Sequence, residues 1–465
     1  MRCRWEWSPG SEGTGWLPGT RAHAGIPPPA AALLLLLLAG CAGHPKGPSV
    51  LLVVFDTTRA DHLSCYGYAR STTPTIDSLA ACGTLWTRCQ SASSWTLPAF
   101  VSIFTGLPPR SHGAGRRGSA FYGLDPDLPT IQRALHEGGW ETAAFLNVVF
   151  LSGDFGMHRD FDSFDCVGYA SSGRLRRADE TAGAFTDWLA SRSGGRPFYA
   201  LVHFYDPHMK YNPPRAWAAM FTDPAYDGPF DSTWGTVPEL MAVNSGEDAI
   251  PSDGLANLEA LYDGEIAFSD AALGSMMAAL RERGLDRSTV VVVLADHGEE
   301  FLEHGKMEHG NNLFQETLHV PLVMCGPGVP AGRLDSIPCT QMDIFPTIAG
   351  MCGVSSPEGL PGLDLLAAEQ PPGDRRLPSS GLLWSDHDLA CVVIGGTKVI
   401  WDPAADSAKA YDLSADPGER VPVAADSAGV AAILDYWASP QAGHPSAVDL
   451  GGTVRSALRD LGYIR

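Results

Sequence analysis

The sequence is poor in basic residues and in closely spaced cysteines. Its 32 lysines and arginines stand against 53 aspartates and glutamates, which gives a formal net charge of −21. A nucleic-acid-binding face needs clustered basic side chains, so this balance argues against a nucleic-acid partner. None of the ten cysteines is spaced as CxxC, which argues against a zinc site built from thiolates.

The sequence also lacks an apolar run long enough to cross a bilayer near its N-terminus. The run there centres on six leucines at residues 33–38, whereas a spanning helix needs about 20 apolar residues. It fits the apolar region of a signal peptide, predicted at residues 1–40. Residues 38–41 (LAGC) resemble a bacterial lipobox that lipidates Cys41, and a plain secretory signal is the alternative. The predicted protein is exported to the bacterial cell envelope, periplasmic or cell-surface, and is lipid-anchored to a membrane, with a linker at 41–49.

Apolar segments alternate with amphipathic segments over most of the chain. The segments at residues 50–55, 197–205 and 290–294 are apolar without alternation, as in strands of a parallel sheet that are buried on both faces. The alternation predicts an α/β fold, with a doubly wound, mostly parallel sheet flanked by helices. The predicted catalytic domain covers residues 50–370. A small C-terminal α+β antiparallel subdomain is predicted at residues 381–465, after a stretch rich in proline and glycine.

Ionisable side chains follow these three predicted strands at the points where the strands end. Asp56 follows the first strand, Asp206 and His208 follow the second, and Asp296 and His297 follow the third. Ligands of open α/β sheets bind at the carboxyl ends of the strands. A carboxylate beside an imidazole forms half of a divalent-metal site there. The alternative for the last pair is a helix-capping aspartate beside an incidental surface histidine, but the recurrence at three strand ends favours a site.

A threonine and a long segment complete the predicted site. Thr96 lies just before Pro98, at the start of a predicted helix that Gly106 ends. A hydroxyl there can act as a nucleophile, with the helix N–H groups facing an anionic substrate. The local alternative is an ordinary helix N-cap threonine. Residues 209–251, rich in proline, aspartate and aromatic residues, are predicted to form a long loop over the site, where substrate choice is often made.

Nine segments between residue 50 and about residue 420 resemble the sulfatase family of the alkaline phosphatase superfamily. In chain order they are VLLVVFDTTRADHLSCYGY, STTPTIDSLA, LPAFVSIFTGLPPRSHG, PFYALVHFYDPH, YDGEIAFSDAALGSMMAALRERG, VVVLADHGEEFLEHG, LHVPLVMCGPG, MDIFPTIAG and AYDLSADPGE. The resemblance implies an alkaline-phosphatase-like fold and a sulfuric ester hydrolase-like activity. It also implies a divalent metal, and the ligand set suits zinc, manganese, calcium or magnesium.

The resemblance also implies roles for individual residues. The residues that look like metal ligands are Asp56, Asp296 and His297, joined by Thr96, which falls where the family places its nucleophile. His208 and His309 resemble the histidines that hold the anionic ester or protonate the leaving group. The weaker candidates for substrate binding or for a second metal site are His203, Asp206 and His304. His304 and His309 lie in a glycine-containing segment that is predicted to be a loop over the same sheet edge.

The sequence departs from the family pattern at three places. Where sulfatases carry a Cys or Ser that is converted to formylglycine, this chain has Thr96, so no formylglycine is expected. The Arg usually found four residues later is Phe100, and the second acidic residue after Asp56 is Thr57. The Lys/His pair expected after the strand near residue 143 is also missing.

The predicted function follows from both the match and the departures. It is a metal-dependent, sulfatase-family hydrolase that cleaves sulfate esters, or phosphate esters, through a threonine nucleophile. A threonine cannot form an aldehyde hydrate, so its covalent intermediate must be hydrolysed or passed to an acceptor. The alternatives are therefore a phosphodiesterase or a phosphoryl-group transferase acting near the membrane. A further alternative is an inactive, anion-binding lipoprotein. The expected partner is a small-molecule, glycan or lipid anionic ester.

Overall fold

The computed structural model describes residues 47–167, 175–367, 375–385, 387–460 and 463–464. The predicted signal peptide and the predicted lipidation site, Cys41, lie outside these residues. No helix in the described part of the chain is both long and apolar enough to cross a membrane.

The described strands form a large sheet, a smaller sheet and two short hairpins. They are β1 (Ser49–Phe55), β2 (Thr84–Gln90), β3 (Gly115–Arg117), β4 (Ala120–Tyr122), β5 (Glu141–Asn147), β6 (Ser163–Val167), β7 (Phe198–Phe204), β8 (Thr289–Ala295), β9 (Glu300–Phe301), β10 (Met307–Glu308), β11 (His319–Cys325), β12 (Arg333–Asp335), β13 (Cys339–Thr340), β14 (Arg376–Ser380), β15 (Ala390–Ile394), β16 (Thr397–Asp402) and β17 (Ser407–Asp412). The large sheet has nine strands in the order β12-β2-β11-β8-β1-β7-β5-β6, with β13 also paired to β2. From β8 to β6 all neighbours are parallel, while β11 is antiparallel to both of its neighbours. The sheet is therefore mixed and mostly parallel, as predicted.

The described helices lie mainly on the two faces of the large sheet. They are α1 (Pro74–Cys82), α2 (Thr96–Thr105), α3 (Pro109–His112), α4 (Ile131–Glu137), α5 (Ala178–Ser191), α6 (Arg215–Ala218), α7 (Val237–Ser245), α8 (Ser252–Glu282), α9 (Gln315–Leu318), α10 (Ile344–Cys352), α11 (Ser427–Ala438) and α12 (Gly452–Asp460). Alternate residues of β1 enter two separate hydrophobic clusters, one shared with α2, α4 and α10 and the other with α1, α5 and α8. Burial on both faces explains why the strand sequences show no polar alternation.

The register of the central strands fixes the position of the site. Phe55 pairs with Phe204 on one side and with Ala295 on the other. The three strands therefore end at the same level, because parallel strands share one carboxyl edge. The residues that follow them emerge side by side at this edge, as the sequence predicted.

The segment at residues 209–251 is not a single loop, and this part of the prediction is wrong. It contains α6 and α7. Thr236 and Glu239 form a capping box at the start of α7, and Leu240 and Val243 bury one side of this helix. The TVPE sequence at residues 236–239 carries this capping signal, although the proline content of the segment favours a loop.

The C-terminal antiparallel sheet of the prediction is present as β14-β15-β16-β17. Its first strand begins at Arg376, inside the stretch interpreted as a boundary. Helix α11 packs on this sheet through Ala432, Ile433 and Tyr436. The predicted loop that carries His304 contains the short β9–β10 hairpin.

Candidate active site

Asp56, Asp296 and His297 meet at the carboxyl edge of the large sheet. All three are completely buried, and one candidate ligand atom from each lies within 4.8 Å of the others. His297 Nε2 lies 3.6 Å from Asp56 Oδ1 and 3.3 Å from Asp296 Oδ2. Gly298 keeps the chain close to its neighbours here, since a Cβ at this position would lie 2.0 Å from the Glu316 carbonyl oxygen.

The unpaired atoms of this group fit a divalent cation. Asp56 Oδ1 and Asp296 Oδ2 are buried and have no hydrogen-bond partner. His297 Nδ1 lies 3.0 Å from the Gly298 carbonyl oxygen. A carbonyl only accepts, so Nδ1 carries the proton and Nε2 of the neutral ring offers a lone pair. Two carboxyl oxygens without partners and one imidazole lone pair therefore converge, which is a suitable set for zinc or another divalent metal.

Burial strongly disfavours charge on these two carboxylates. Desolvation raises the pKa of Asp56 to about 8 and the pKa of Asp296 to about 7, and the neighbouring charge of Asp56 adds to the second shift. The same burial lowers the pKa of His297. A cation would offset this cost, because metal binding requires deprotonated carboxylates and a neutral imidazole.

The hydroxyl of Thr96 faces the group rather than capping its own helix. Trp95 is the N-cap residue of α2, and Thr96 is the first helical residue. Thr96 Oγ1 lies 3.3 Å from His297 Nε2, and the residue is 3% exposed. The positive end of the ten-residue helix therefore lies at the site, where it favours an anion.

His208 lies next to this group, in contact with Tyr205 and Tyr463. Its ring stacks on Tyr205, with ring centroids 4.5 Å apart. Its Nδ1 lies 2.7 Å from the Met209 carbonyl oxygen, and its Nε2 lies 3.2 Å from the Tyr463 hydroxyl oxygen. Burial lowers the pKa of His208 to about 4. The C-terminal segment of the chain thus reaches back to the candidate site.

His309 lies between His208 and His297. Its ring centroid is 4.8 Å from that of His208 and 4.3 Å from that of His297. Its Nδ1 lies 3.0 Å from Glu299 Oε1, and the other carboxylate oxygen of Glu299 accepts a hydrogen bond from Tyr211 at 3.2 Å. Burial lowers the pKa of His309 well below its usual range and raises that of Glu299 well above its own.

Glu299 is a positioning residue for His309, and its replacement tests this role. The Glu299→Gln substitution keeps the shape but replaces the carboxyl group that contacts His309 Nδ1 with an amide, which cannot exchange a proton with the imidazole. We expect kcat/KM to fall about 10–100-fold, as for other side chains that orient an active-site histidine. The pH profile of kcat/KM should shift as well. An unchanged rate and an unchanged profile would contradict the role.

The three weaker candidates have different surroundings. His203 belongs to the first group, since its Nε2 lies 3.1 Å from Asp56 Oδ2. Asp206 lies at the edge of the adjoining cleft, 3.9 Å from Arg177, and burial raises its pKa to about 7. His304 makes its contacts elsewhere: its Nδ1 lies 2.6 Å from Glu316 Oε1.

The residues that stand at the positions departing from the family pattern make structural contacts. Phe100, at the position of the missing arginine, is buried with its ring edge-on to His203, 5.3 Å between centroids. Thr57, at the position of the missing acid, donates its backbone N–H to Asp296 Oδ1 over 3.2 Å. Asn147 donates a hydrogen bond to the His203 carbonyl oxygen over 2.7 Å. Thr57 therefore contacts the Asp56–Asp296–His297 group directly, whereas Phe100 and Asn147 contact His203, whose ring lies 3.1 Å from Asp56 Oδ2.

A pocket of about 290 Å³ opens beside His208 and Glu308. Its apolar and aromatic walls come from distant parts of the chain: Tyr205, Val237, Leu240, Met241, Trp384 and Tyr463. No lysine or arginine is among the described residues that line it. Val237, Leu240 and Met241 belong to α7, so this part of the 209–251 segment lies beside the site, as predicted.

Several side chains of the site were not singled out from the sequence. Glu299 lies inside the VVVLADHGEEFLEHG segment and Glu308 directly precedes His309, so their closeness in sequence to predicted site residues is a usable signal. Gln341 donates its side-chain N–H to the Ala295 carbonyl oxygen over 2.9 Å and holds the end of β8. The contribution of Tyr463 had no local signal, because it depends on how the C-terminus packs.

Comparisons with known proteins agree with this geometry. A family model described as Sulfatase matches residues 48–354. Arylsulfatase K of Bos taurus is 24% identical over 443 residues, covering 84% of this chain and 81% of that protein. An arylsulfatase of Clostridium perfringens is 22% identical over 437 residues, covering 80% of this chain and 89% of that protein.

Solved structures share the fold. A phosphonate monoester hydrolase of Agrobacterium radiobacter has a TM-score of 0.68 and 24% identity, covering 84% of this chain and 94% of its own. A protein in complex with its substrate D-glucosamine-2-N,6-O-disulfate has a TM-score of 0.67 and 19% identity, covering 84% of this chain and 97% of its own. The fold is therefore alkaline-phosphatase-like, as predicted. Since the family model covers most of the chain, this protein belongs to the sulfatase family and is a sulfuric ester hydrolase-like enzyme.

Proposed function

We propose that this enzyme is a metal-dependent hydrolase of sulfate esters that uses Thr96 as its nucleophile, with phosphate esters as the second candidate. The observation that carries the proposal is the placement of Thr96 Oγ1 3.3 Å from His297 Nε2, beside two buried carboxylates with unpaired oxygens. The family relationship favours sulfate esters. The threonine favours phosphate esters, because it cannot form the aldehyde hydrate that releases sulfate.

Asp56, Asp296 and His297 would hold the metal, with Thr96 as a fourth ligand. A bound divalent cation would favour the alkoxide form of the Thr96 hydroxyl. Thr96 Oγ1 then attacks the sulfur or phosphorus atom in line, and the bond to the leaving oxygen breaks. The N-terminus of α2 faces the negative charge of the ester at this point. Water attacks the resulting threonine ester in the second step and regenerates Thr96.

His208 and His309 are proposed to neutralise the non-bridging oxygens or to protonate the leaving oxygen. His208 lines the pocket, and the His309 ring lies behind it, with 4.8 Å between the ring centroids. Both roles need positive charge at this position, and burial of the two rings opposes protonation. His203 is proposed to orient Asp56, while Asp206 would contact the substrate from the adjoining cleft. His304 contacts Glu316 and not the Asp56–Asp296–His297 group, so it is proposed to act on the substrate site only indirectly.

The pocket beside the site suggests the nature of the leaving group. Its aromatic and aliphatic walls suit the apolar or ring part of an ester more than a second anionic group. Among related structures, one contains a sulfated glucosamine. We keep the predicted export and the lipid anchor at Cys41 as part of the proposal, so the substrate would be a glycan, lipid or small-molecule ester in the cell envelope.

A panel of substrates tests the proposal. The mature protein is assayed on an aryl sulfate, an aryl phosphate and an aryl phosphodiester, each with zinc, manganese or calcium added after chelation. We expect turnover of at least one ester to depend on the added metal. The ester with the highest kcat/KM decides between sulfate and phosphate chemistry. Metal-independent turnover, or none on any ester, would contradict the proposed hydrolase.

An acceptor experiment separates the hydrolase from a group transferase. The product of the preferred ester is analysed with and without added alcohols, sugars and phospholipids. We expect free sulfate or phosphate in equal amounts under both conditions. Transfer of the group to an added acceptor would instead support the transferase.

A further inference from the structure

Two cysteines face each other across neighbouring strands of the large sheet. Strand β13 runs parallel to β2, and Cys339 of β13 is the direct partner of Cys89 of β2. Directly paired residues of neighbouring strands point to the same face of a sheet. Both side chains are at most 1% exposed, and both belong to the same hydrophobic cluster. Two thiols therefore lie side by side in the interior of the protein.

The spacing of these two cysteines suits a disulfide bond. Neighbouring strands lie about 4.7–4.9 Å apart, and the Cα atoms of disulfide-bonded cysteines are about 4.4–6.8 Å apart. Burial, followed by the neighbouring Cys89 thiol, raises the pKa of the Cys339 thiol well above its usual range. The two sulfur atoms are thus close enough to affect each other. Both cysteines are free thiols in the structure, so a bond between them requires an oxidation step.

Cys82 and Cys325 are also near each other, but their arrangement is different. The Cys325 thiol donates a hydrogen bond to the Cys82 carbonyl oxygen over 3.5 Å, so it is directed at the backbone. Cys325 lies opposite Gly83 rather than opposite Cys82, since a Cβ added to Gly83 would lie 2.9 Å from the Cys325 Cβ. Direct strand pairing of two cysteines therefore distinguishes Cys89 and Cys339 from this pair.

The chain next to the two cysteines holds the end of β8. Ser91 and Gln341 each follow one of the cysteines by two residues, and Ser91 Oγ lies 3.1 Å from Gln341 Oε1. Ser91 Oγ and Gln341 Nε2 both lie 2.5 Å from the Asp296 carbonyl oxygen. Strand β13 has only two residues, so few backbone hydrogen bonds attach it to β2. A covalent bond between Cys89 and Cys339 would fix the two supports of Asp296 relative to each other.

We propose that Cys89 and Cys339 form a structural disulfide bond in the mature protein. The oxidant is another disulfide, carried by a thiol–disulfide exchange protein or by oxidised glutathione. One cysteine thiolate attacks this disulfide and displaces its first thiol, and the other cysteine thiolate then attacks the mixed disulfide and displaces the second. The oxidant's S–S bond breaks, the Cys89–Cys339 bond forms, and two electrons and two protons end on the two released thiols. Because both native thiols are buried, the bond forms during folding, before β13 packs on β2.

The expected effect of this bond is a more stable fold. It closes a loop of about 250 residues, and a disulfide restricts the unfolded chain more strongly when the closed loop is longer. For a chain of this length we expect the disulfide to raise the Tm by about 3–5 °C. The buried position also protects the bond, so reductant should cleave it slowly unless the protein is unfolded.

Peptide mapping tests the pairing. The mature protein is unfolded and reduced, refolded in reduced and oxidised glutathione, quenched with acid, alkylated and digested without reduction. Mass spectrometry should find a peptide pair that links Cys89 to Cys339 and that disappears after reduction. The same linked pair should form in Cys352→Ala, which removes another buried thiol, one that lies 3.9 Å from the Pro48 carbonyl oxygen. Alkylation of both Cys89 and Cys339, or a link from either to a different cysteine, would overturn the inference.

Thermal unfolding tests the stabilising effect. The metal-free wild type is refolded either in the glutathione buffer or in dithiothreitol, and we expect the Tm of the second sample to be lower by about 3–5 °C. The double variant Cys89→Ala/Cys339→Ala should have the same Tm after both treatments. Each protein is compared with itself, so the cavities left by the two alanines do not affect the result. A wild type whose Tm is equal after both treatments would overturn the proposed cross-link. Neither readout uses ester turnover, so failure of the proposed hydrolase activity would leave this inference intact.

Discussion

Thr96→Ala is expected to lower kcat/KM on the preferred ester by about a thousandfold or more, as the loss of a catalytic nucleophile does in other hydrolases. Thr96 is the candidate nucleophile, and its Oγ1 lies 3.3 Å from His297 Nε2. Alanine removes it without disturbing the helix start, because Trp95 is the N-cap residue of α2. Steady-state kinetics on the substrate panel measure the effect.

Thr96→Ser is the matched control for this experiment. Serine keeps the nucleophilic oxygen and removes only a methyl group, so we expect its kcat/KM to stay within about tenfold of wild type. Bound metal should be retained in both variants through Asp56, Asp296 and His297. Rapid acid quenching during turnover, followed by mass spectrometry, should find the sulfuryl or phosphoryl group on the peptide that contains Thr96. Undiminished turnover by Thr96→Ala would show that water attacks the ester directly.

The sequence was sufficient to predict the inner part of the site because of strand geometry. Parallel strands share one carboxyl edge, so carboxylates that follow β1 and β8 must emerge together once the strands are neighbours. The apolar, non-alternating runs identified those strands. The family resemblance then supplied the order of the pieces and the position of Thr96. The burial and the unpaired oxygens of Asp56 and Asp296 are consistent with this reasoning, while the residue roles themselves stay predictions.

The side of the site around His208 depends on packing between distant segments, which no local sequence pattern encodes. Tyr463 reaches His208 across 255 residues of sequence, and Trp384 lines the same pocket. Neither residue carries a motif. Glu308 directly precedes His309 in the sequence, but its proximity to His208 depends on how the chain folds around the β9–β10 hairpin. Helix α7 differs, because its capping signal is local and the proline content of the surrounding segment favours a loop instead.

Asp56→Asn is expected to abolish metal binding and, with it, most of the activity. The substitution removes one of the three buried ligands, so metal affinity should fall by at least about 100-fold, beyond the loss seen when only a supporting residue is changed. Calorimetric titration of the chelator-treated protein with zinc measures this. The exposed Asp227 provides a control, and Asp227→Asn should bind metal as the wild type does. Unchanged affinity in Asp56→Asn would remove Asp56 from the ligand set.

The same substitution should stabilise the metal-free protein at high pH. Burial raises the pKa of Asp56 to about 8 from an ordinary value of 3.8, so the native state holds a proton that the unfolded state has lost. Stability therefore falls as pH rises from about 4 to about 8 and levels off above that. Asparagine cannot ionise, so metal-free Asp56→Asn should gain stability relative to the wild type over this range, by about 2 kcal/mol between pH 5 and pH 9.

The stability of metal-free Asp56→Asn should still fall with pH, but less steeply than that of the wild type. Some pH dependence remains because the pKa of Glu308 is also raised to about 8 by burial. Thermal unfolding in chelator at pH 5, 7 and 9 measures the difference. With zinc present the order should reverse, since only the wild type gains the binding energy of the ion at Asp56, and that gain grows with pH as protons cease to compete. If the metal-free wild type were as stable as Asp56→Asn at pH 9, Asp56 would carry no destabilising buried charge. Its unpaired oxygen would then not need a cation.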